Sequence, residues 1–391
     1  MTKVSPGLEQ FLQAPPDWIR GRRLGLLANP ASVDAGYRHA KDLIEQRLPG
    51  QLKALFSPQH GFHAEKQDNM IESADSRDPE TGLPVFSLYG HTRHPTRSML
   101  EKIDVLLIDL QDVGTRVYTF ATTVSYCLEK SKEMDIPVLL LDRPNPVGGL
   151  QVEGNRLEPA FASFVGRSPL PMRHGLTLGE LALYMNAQLD IQCRLSVIAM
   201  KGWQRWMYFP DTGLPWLPPS PNLPNPQSAM VYPGQVIFEG SNISEGRGTT
   251  TPFEVFGAPF IDPKRMLAFM SGDSPPGAVL RPVAFEPMFH KWRHETCRGL
   301  HIHITRPEAY SAYETSLKLL QAILYNYPDH FQWRRPPYEY EWEKLPIDLI
   351  TGTNRIREQL ERMEPIEAIA ANWQADVTTF EEEKTAFHLY G

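Results

Sequence analysis

Two short, uninterrupted apolar runs, IDVLLIDL at 103–110 and IPVLLLD at 136–142, constrain this chain more than any other feature. A strand that is apolar at nearly every position has both faces covered, as in a parallel sheet with helices packed on each side. Further runs fit the same plan: RRLGLLAN at 22–29 and QLKALFS at 51–57 read as strands, and 194–201 as another. Helical patterns fall between them at 40–47, 118–132 and 177–189; in the last, Thr177 is an N-cap and Glu180 completes a capping box. Strands alternating with helices predict an α/β fold built on a mostly parallel sheet.

The texture changes at 209–257, where Pro and Gly are dense. Each Pro removes a backbone donor and fixes φ, so no long helix is expected. The segment is also rich in Trp, Tyr, Phe and Ile, which a flexible linker seldom is, and so reads as an ordered excursion over the sheet. Beyond it come a helix at 264–271 capped by Asp262, strands at 278–285 and 299–305, and helices at 309–325, 354–363 and 366–373. This predicts two domains: residues 1–258, carrying the parallel sheet and the active site, and residues 259–391, a smaller α+β domain.

Composition narrows the partners. With 391 residues and 41% hydrophobic content the chain buries a large core, and a net charge of -7 offers no broad basic surface to nucleic acid. The three cysteines, Cys127, Cys193 and Cys297, form no CxxC pair and read as reduced thiols. The opening MTKVSPGLEQFLQ lacks a secretory pattern and no apolar run reaches spanning length, so the expectation is a cytoplasmic protein that does not enter the membrane. Nothing in the sequence fixes an oligomeric state.

In open parallel sheets, ligands bind beyond the carboxyl ends of the strands. The loops there carry Gln59 and His60; Asp109, Asp112, Arg116 and Tyr118; and Asp142, Arg143 and Asn145. The Pro/Gly-rich segment adds Glu239 and Glu245, a pair suited to glycosidic cleavage, in which one carboxyl donates a proton and another acts as base or nucleophile. Trp203, Trp206 and Trp216 are candidates for stacking on a sugar or for interdomain packing. Other chemistries are poorly served. The position of a dinucleotide fingerprint holds NPASVDAG, neither a Walker loop nor a GxSxG elbow occurs, and HETCR lacks the second His of HExxH. His290, His294, His301 and His303 make a weak metal argument, so no cofactor and no metal are expected.

The ordered blocks SPQHGF, LIDLQDVGTRVYT, LLLDRPNPVGG, LPMRHGLTLGELA, PSPNLP with VYPG, and FEGSNISEGRGTTTPFEVFGAP resemble the exo-β-N-acetylmuramidase family, over nearly the whole chain. The resemblance implies a Rossmann-like domain joined to a smaller one. It also implies an exo-acting glycosidase that removes N-acetylmuramic acid from the non-reducing ends of peptidoglycan fragments, with a carbohydrate or muropeptide as its partner. Catalytic candidates are Glu239, Glu245, Asp112 and His60; substrate contacts are Gln59, Asp109, Tyr118, Asn145, His174, Asn222 and Asn242. Arg116, Arg143, Arg173 and Arg247 are candidates for the lactyl carboxylate of muramic acid. One departure matters: the family often has Glu in the SPxHG loop, and here Gln59 stands there. An amide delivers no proton, so either another carboxyl acts as acid, or the chain is an altered or non-catalytic carbohydrate-binding protein.

Overall fold

The structure, a computed structural model, describes residues 3–270 and 274–391. The expected strands form: β1 (Leu24–Ala28), β2 (Leu52–Ser57), β5 (Val105–Asp109), β6 (Val138–Leu141) and β7 (Leu195–Ile198). Two more, β3 (Ser76–Arg77) and β4 (Pro84–Ser87), extend one edge. The sheet runs β3-β4-β2-β1-β5-β6-β7, parallel throughout except where β3 meets β4. Every residue of β1, β5 and β6 is buried.

Alternation along the strands divides the core. Leu24, Leu26, Val105 and Leu107 face Leu8, Phe11, Leu43 and Ile44 from the helices Gly7–Gln13 and Ala40–Arg47. Leu27, Leu106 and Ile108 face the helices Phe120–Glu133 and Leu178–Gln188. The last of these opens as expected, with Thr177 and Glu180 exchanging bonds in a capping box.

The Pro/Gly-rich stretch is ordered and contains a ten-residue helix, Pro226–Gln235, that local pattern does not reveal. Asn225 caps it and Pro226 sits in its first turn, where the missing N–H costs nothing. Its Gly234 lies against the helix Ala312–Asn326; a Cβ there would meet the Ala312 carbonyl at 1.9 Å, so only glycine allows this approach. Strands β8 (Val255–Ala258), β9 (Ala278–Phe285) and β10 (Cys297–Ile304) form a second, antiparallel sheet in the order β8-β10-β9. The fold is therefore the expected α/β layer with a smaller α+β part. Asp262 caps the helix Pro263–Phe269, while Ser271, read as its end, lies outside the described residues.

The parts are laced together. Tyr390 donates its hydroxyl to Asp142 at the end of β6 at 2.6 Å, and Leu389 N–H donates to Glu180 at 2.8 Å. The three thiols are buried and unpaired. Among the described residues no helix is long and apolar enough to cross a membrane.

Candidate active site

Strand β1 has β2 on one side and β5 on the other, so the chain reverses its winding there, and such a switch point is where open sheets usually bind ligands. Here it is closed. Ser32 donates its hydroxyl to the Asp109 carbonyl, Arg143 Nη2 donates to the Asp109 carboxylate at 2.8 Å and to Val33 O at 3.0 Å, and Asn29 reaches Pro219 O at 3.4 Å. Asp109 and Arg143 thus form a buried ion pair under the Pro-rich segment.

A polar recess lies to one side, over the loop that follows β2. This small recess, of about 40 Å3, is lined by Gln59, His60, Asn69, Tyr118, Asn222, Tyr232, Glu239, Arg247, Tyr338 and Glu339, among others. Three separate stretches supply its carboxyl, guanidinium and imidazole groups. The β2 loop supplies Gln59 and His60. The Thr119 hydroxyl, at the N-cap of the following helix, caps no backbone group and instead donates to Gln59 Oε1 at 2.6 Å. His60 sits at φ +78°, a strained conformation for a side-chain-bearing residue. Its Nδ1 donates to Lys66 O at 2.8 Å, since a carbonyl only accepts; this leaves Nε2 unprotonated. Burial lowers its pKa to about 4, with Arg247 nearby acting in the same direction.

The second stretch follows the helix Pro226–Gln235. A 3-10 turn, Val236–Gly240, delivers Glu239, which is 2% exposed and accepts three bonds: Arg247 Nη2 at 2.7 Å, Tyr338 hydroxyl at 2.8 Å and Asn69 Nδ2 at 3.0 Å. Gly246, at φ +79° with Val255 O 2.7 Å from any added Cβ, turns the chain so that Glu245 and Arg247 flank it. The Arg247 guanidinium rests over the Phe253 ring, 5.0 Å from its centroid. Glu245 lies outside the recess, with Lys291 Nζ at 2.8 Å, Arg247 Nε at 3.2 Å and His290 Nδ1 at 3.3 Å. Burial works to raise its pKa, but the charges of Lys291, His290 and Arg247 hold it well below the usual carboxylate range.

The third stretch comes from the far C-terminal part. Tyr338 and Glu339 are buried, and Glu339 and Tyr340 adopt φ +45° and +69°. Glu339 accepts from Gln59 Nε2 at 3.0 Å and from the Tyr89 hydroxyl at 2.6 Å. Burial outweighs these bonds and raises its pKa to about 7. The recess therefore holds a carboxyl that carries a proton through mildly acidic pH, a carboxylate ion-paired with Arg247, a neutral imidazole and several phenols. The Tyr118 hydroxyl is buried there without a hydrogen-bond partner.

Of the residues singled out from sequence, Gln59, His60, Tyr118, Asn222, Glu239 and Arg247 line the recess; Asn222 is held by Gln67 O at 2.7 Å. The rest serve elsewhere. Arg116 spends both terminal nitrogens on four carbonyls, of Asn155, Leu170, Ile350 and Thr351, at 2.7–3.0 Å. Arg173 pairs with Glu153 at 2.6 Å, Asn145 holds Leu176 O at 2.9 Å, and His174 Nδ1 accepts Leu176 N–H at 3.1 Å. Asn242 bridges His330 and Gln332. Asp112 accepts Gly114 N–H at 2.7 Å, leaves its other oxygen unpartnered, and is raised to about 7 by burial. Trp203 packs on Tyr390 and Trp216 on Phe209, away from the recess. Asn69, Tyr89, Tyr232, Tyr338 and Glu339 were not evident in the sequence. The one local signal for the last two is YEYE directly after a Pro-Pro pair.

Comparison with known proteins bears on this arrangement. The family model for the N-terminal part of the exo-β-N-acetylmuramidase NamZ matches residues 24–227, and that for its C-terminal part matches 230–390. The peptidoglycan β-N-acetylmuramidase NamZ of Bacillus subtilis (strain 168) is 38% identical over 388 residues, 99% of this chain and 92% of that protein. Two crystal structures of DUF1343 family proteins from Bacteroides fragilis NCTC 9343 share the fold. One has a TM-score of 0.89 at 33% identity, covering 100% of both chains; the other has 0.76 at 29%, covering 100% of this chain and 99% of that one.

Proposed function

The chain belongs to the exo-β-N-acetylmuramidase NamZ family, and from that premise we propose that its recess releases N-acetylmuramic acid from the non-reducing ends of peptidoglycan fragments. The observation that carries this reading to particular residues is the pair of carboxyl groups in one recess under opposite influences. Glu339 is buried with only neutral donors on its oxygens and is raised to about 7, whereas Glu239 is ion-paired with Arg247. Glycosidases need such an asymmetric pair.

Glu339 supplies the acid. Its proton passes to the glycosidic oxygen as the bond from that oxygen to C1 breaks. Positive charge then develops on the sugar ring, where the Glu239 carboxylate stabilises it. Water adds its hydroxyl to C1, and the proton it releases restores the acid. His60, neutral above about pH 4, offers Nε2 as an acceptor for a substrate hydroxyl or for that water. Of the four arginines considered for the lactyl carboxylate, Arg247 alone lines the recess, and its contacts run through Nε and Nη2, leaving Nη1 for substrate. On this reading the protein would act in cell wall turnover.

The test is incubation of the protein with the β-1,4-linked disaccharide of N-acetylmuramic acid and N-acetylglucosamine, with products followed by mass spectrometry. Release of both monosaccharides is expected. Calorimetric binding of the disaccharide without any product would replace this reading with that of a carbohydrate-binding protein, which Gln59 favours.

A further inference from the structure

Glu339 lines a second space as well. On its outer side lies an open cup of about 490 Å3, bounded by Arg93, His94, Tyr126, Phe164 and Tyr340. Glu339 is common to the two linings and accepts from the Tyr89 hydroxyl at 2.6 Å, with Tyr89 packed on Phe164 and Tyr340 at 5.6 and 5.7 Å between ring centroids. An acid that protonates a glycosidic oxygen must stand between the sugar that keeps C1 and the sugar that leaves. Glu339, the residue that borders both spaces, is placed to meet that requirement. The size of the cup lies within the roughly 300–1,000 Å3 typical of small-ligand sites.

Its lining suits a neutral, amphipathic ligand. Tyr126 and Phe164 are stacked at 6.3 Å and 20°, and Arg93 lies 3.2 Å above the Tyr340 ring. The charges are balanced locally: Arg93 pairs with Glu72 at 3.1 Å, and Arg167, seated over Tyr126 at 4.4 Å, pairs with Glu129 at 2.7 Å. Hydrogen-bonding capacity remains, because Arg93 Nε and His94 Nδ1 are buried with no partner. Aromatic surface beside unspent polar nitrogens and no net charge matches a pyranose, which presents C–H faces and hydroxyl edges.

We propose that this cup is the subsite for the leaving sugar, a neutral N-acetylhexosamine on the reducing side of the cleaved bond. The inference rests on the reading of the inner recess given above. It makes the enzyme selective for saccharide leaving groups, and Tyr126 is the residue through which the selectivity is tested.

The experiment compares kcat/KM for the disaccharide with that for β-N-acetylmuramyl fluoride, whose leaving group fills no sugar subsite. In Tyr126→Ala the disaccharide-to-fluoride ratio is expected to fall at least tenfold, and Tyr126→Phe, which keeps the ring, is expected to restore it. An unchanged ratio in Tyr126→Ala overturns the subsite while leaving the inner recess standing. A wild-type protein that hydrolyses neither substrate overturns the functional reading itself, and the subsite with it.

Discussion

Gln59 donates its amide Nε2 to Glu339 Oε1 at 3.0 Å, joining the loop after β2 to a loop 280 residues further along the chain. The amide orientation follows from the network, since the Thr119 hydroxyl donates to the other end of Gln59. A neutral partner leaves burial as the dominant influence on Glu339, and the charge of Glu239 across the recess raises its pKa further.

Replacing that neutral partner changes the titration in a defined direction. In Gln59→Glu a second carboxyl meets Glu339, and a like charge disfavours ionisation of the acid. As the proposed acid Glu339 must be protonated, so activity is expected to fall as pH rises through its pKa. The alkaline limb of the kcat/KM profile, expected near 7 in the unaltered protein, is expected to move to higher pH in this variant. A limb that stays in place would separate Glu339 from the acid role.

Asp112 is predicted to act on stability and not on turnover. Its folded pKa is raised from 3.8 to about 7, so its contribution is fully present below about 4 and is lost as pH rises towards 7. One such proton gives a slope of about 1.4 kcal/mol per pH unit in that window. Asp112→Asn keeps an acceptor for Gly114 N–H and removes the charge. Denaturant unfolding is expected to show a flatter pH dependence and no loss of stability at pH 7.5.

Arg116 ties the sheet to the end of the helix Pro346–Thr351, whose last carbonyls it binds. A Lys cannot span four carbonyls with a planar fork. Arg116→Lys leaves buried acceptors unpaired, at a cost of at least about 1–3 kcal/mol. Thermal unfolding well below the wild-type temperature is the expected result, with KM close to that of the wild type when assayed in the cold.

Glu245 contacts Arg247 Nε at 3.2 Å and is predicted to act through it. Its pKa is depressed below the ordinary 4.5, so it contributes stability above that value, lost as pH falls through the folded pKa. Glu245→Gln leaves Lys291 buried without its counter-charge, and breaking such a pair costs about 3–5 kcal/mol. Acid unfolding is expected to begin at higher pH, and kcat to fall less than in Glu239→Gln.

Much of the fold was legible because a buried strand and an amphipathic helix write their period into a few consecutive residues. The runs at 103–110 and 136–142 became β5 and β6, and Thr177 with Glu180 became a capping box. The short strands of two and four residues at one side of the sheet, β3 and β4, carry too little pattern to read, and one opens on Pro84. The lining of the recess was legible where polar residues follow a strand end or a glycine turn, as at His60, Glu239 and Arg247. It was not legible at Glu339, which sits in a charged stretch that reads as solvated but is buried by contacts from Gln59 and Tyr89. Asp109 and Arg143 show the converse. They hold the expected places at strand ends, yet they neutralise each other and the Pro-rich segment closes over them.

The assignment of Glu339 as the acid is tested most directly by Glu339→Gln assayed on two leaving groups. The disaccharide needs a proton to depart, whereas the fluoride of β-N-acetylmuramyl fluoride leaves largely without one. Loss of about 10²–10⁴-fold in kcat on the disaccharide, with fluoride hydrolysis largely kept and the alkaline limb near 7 abolished, is the predicted result. Equal losses on both substrates, or full activity on the disaccharide, would contradict it.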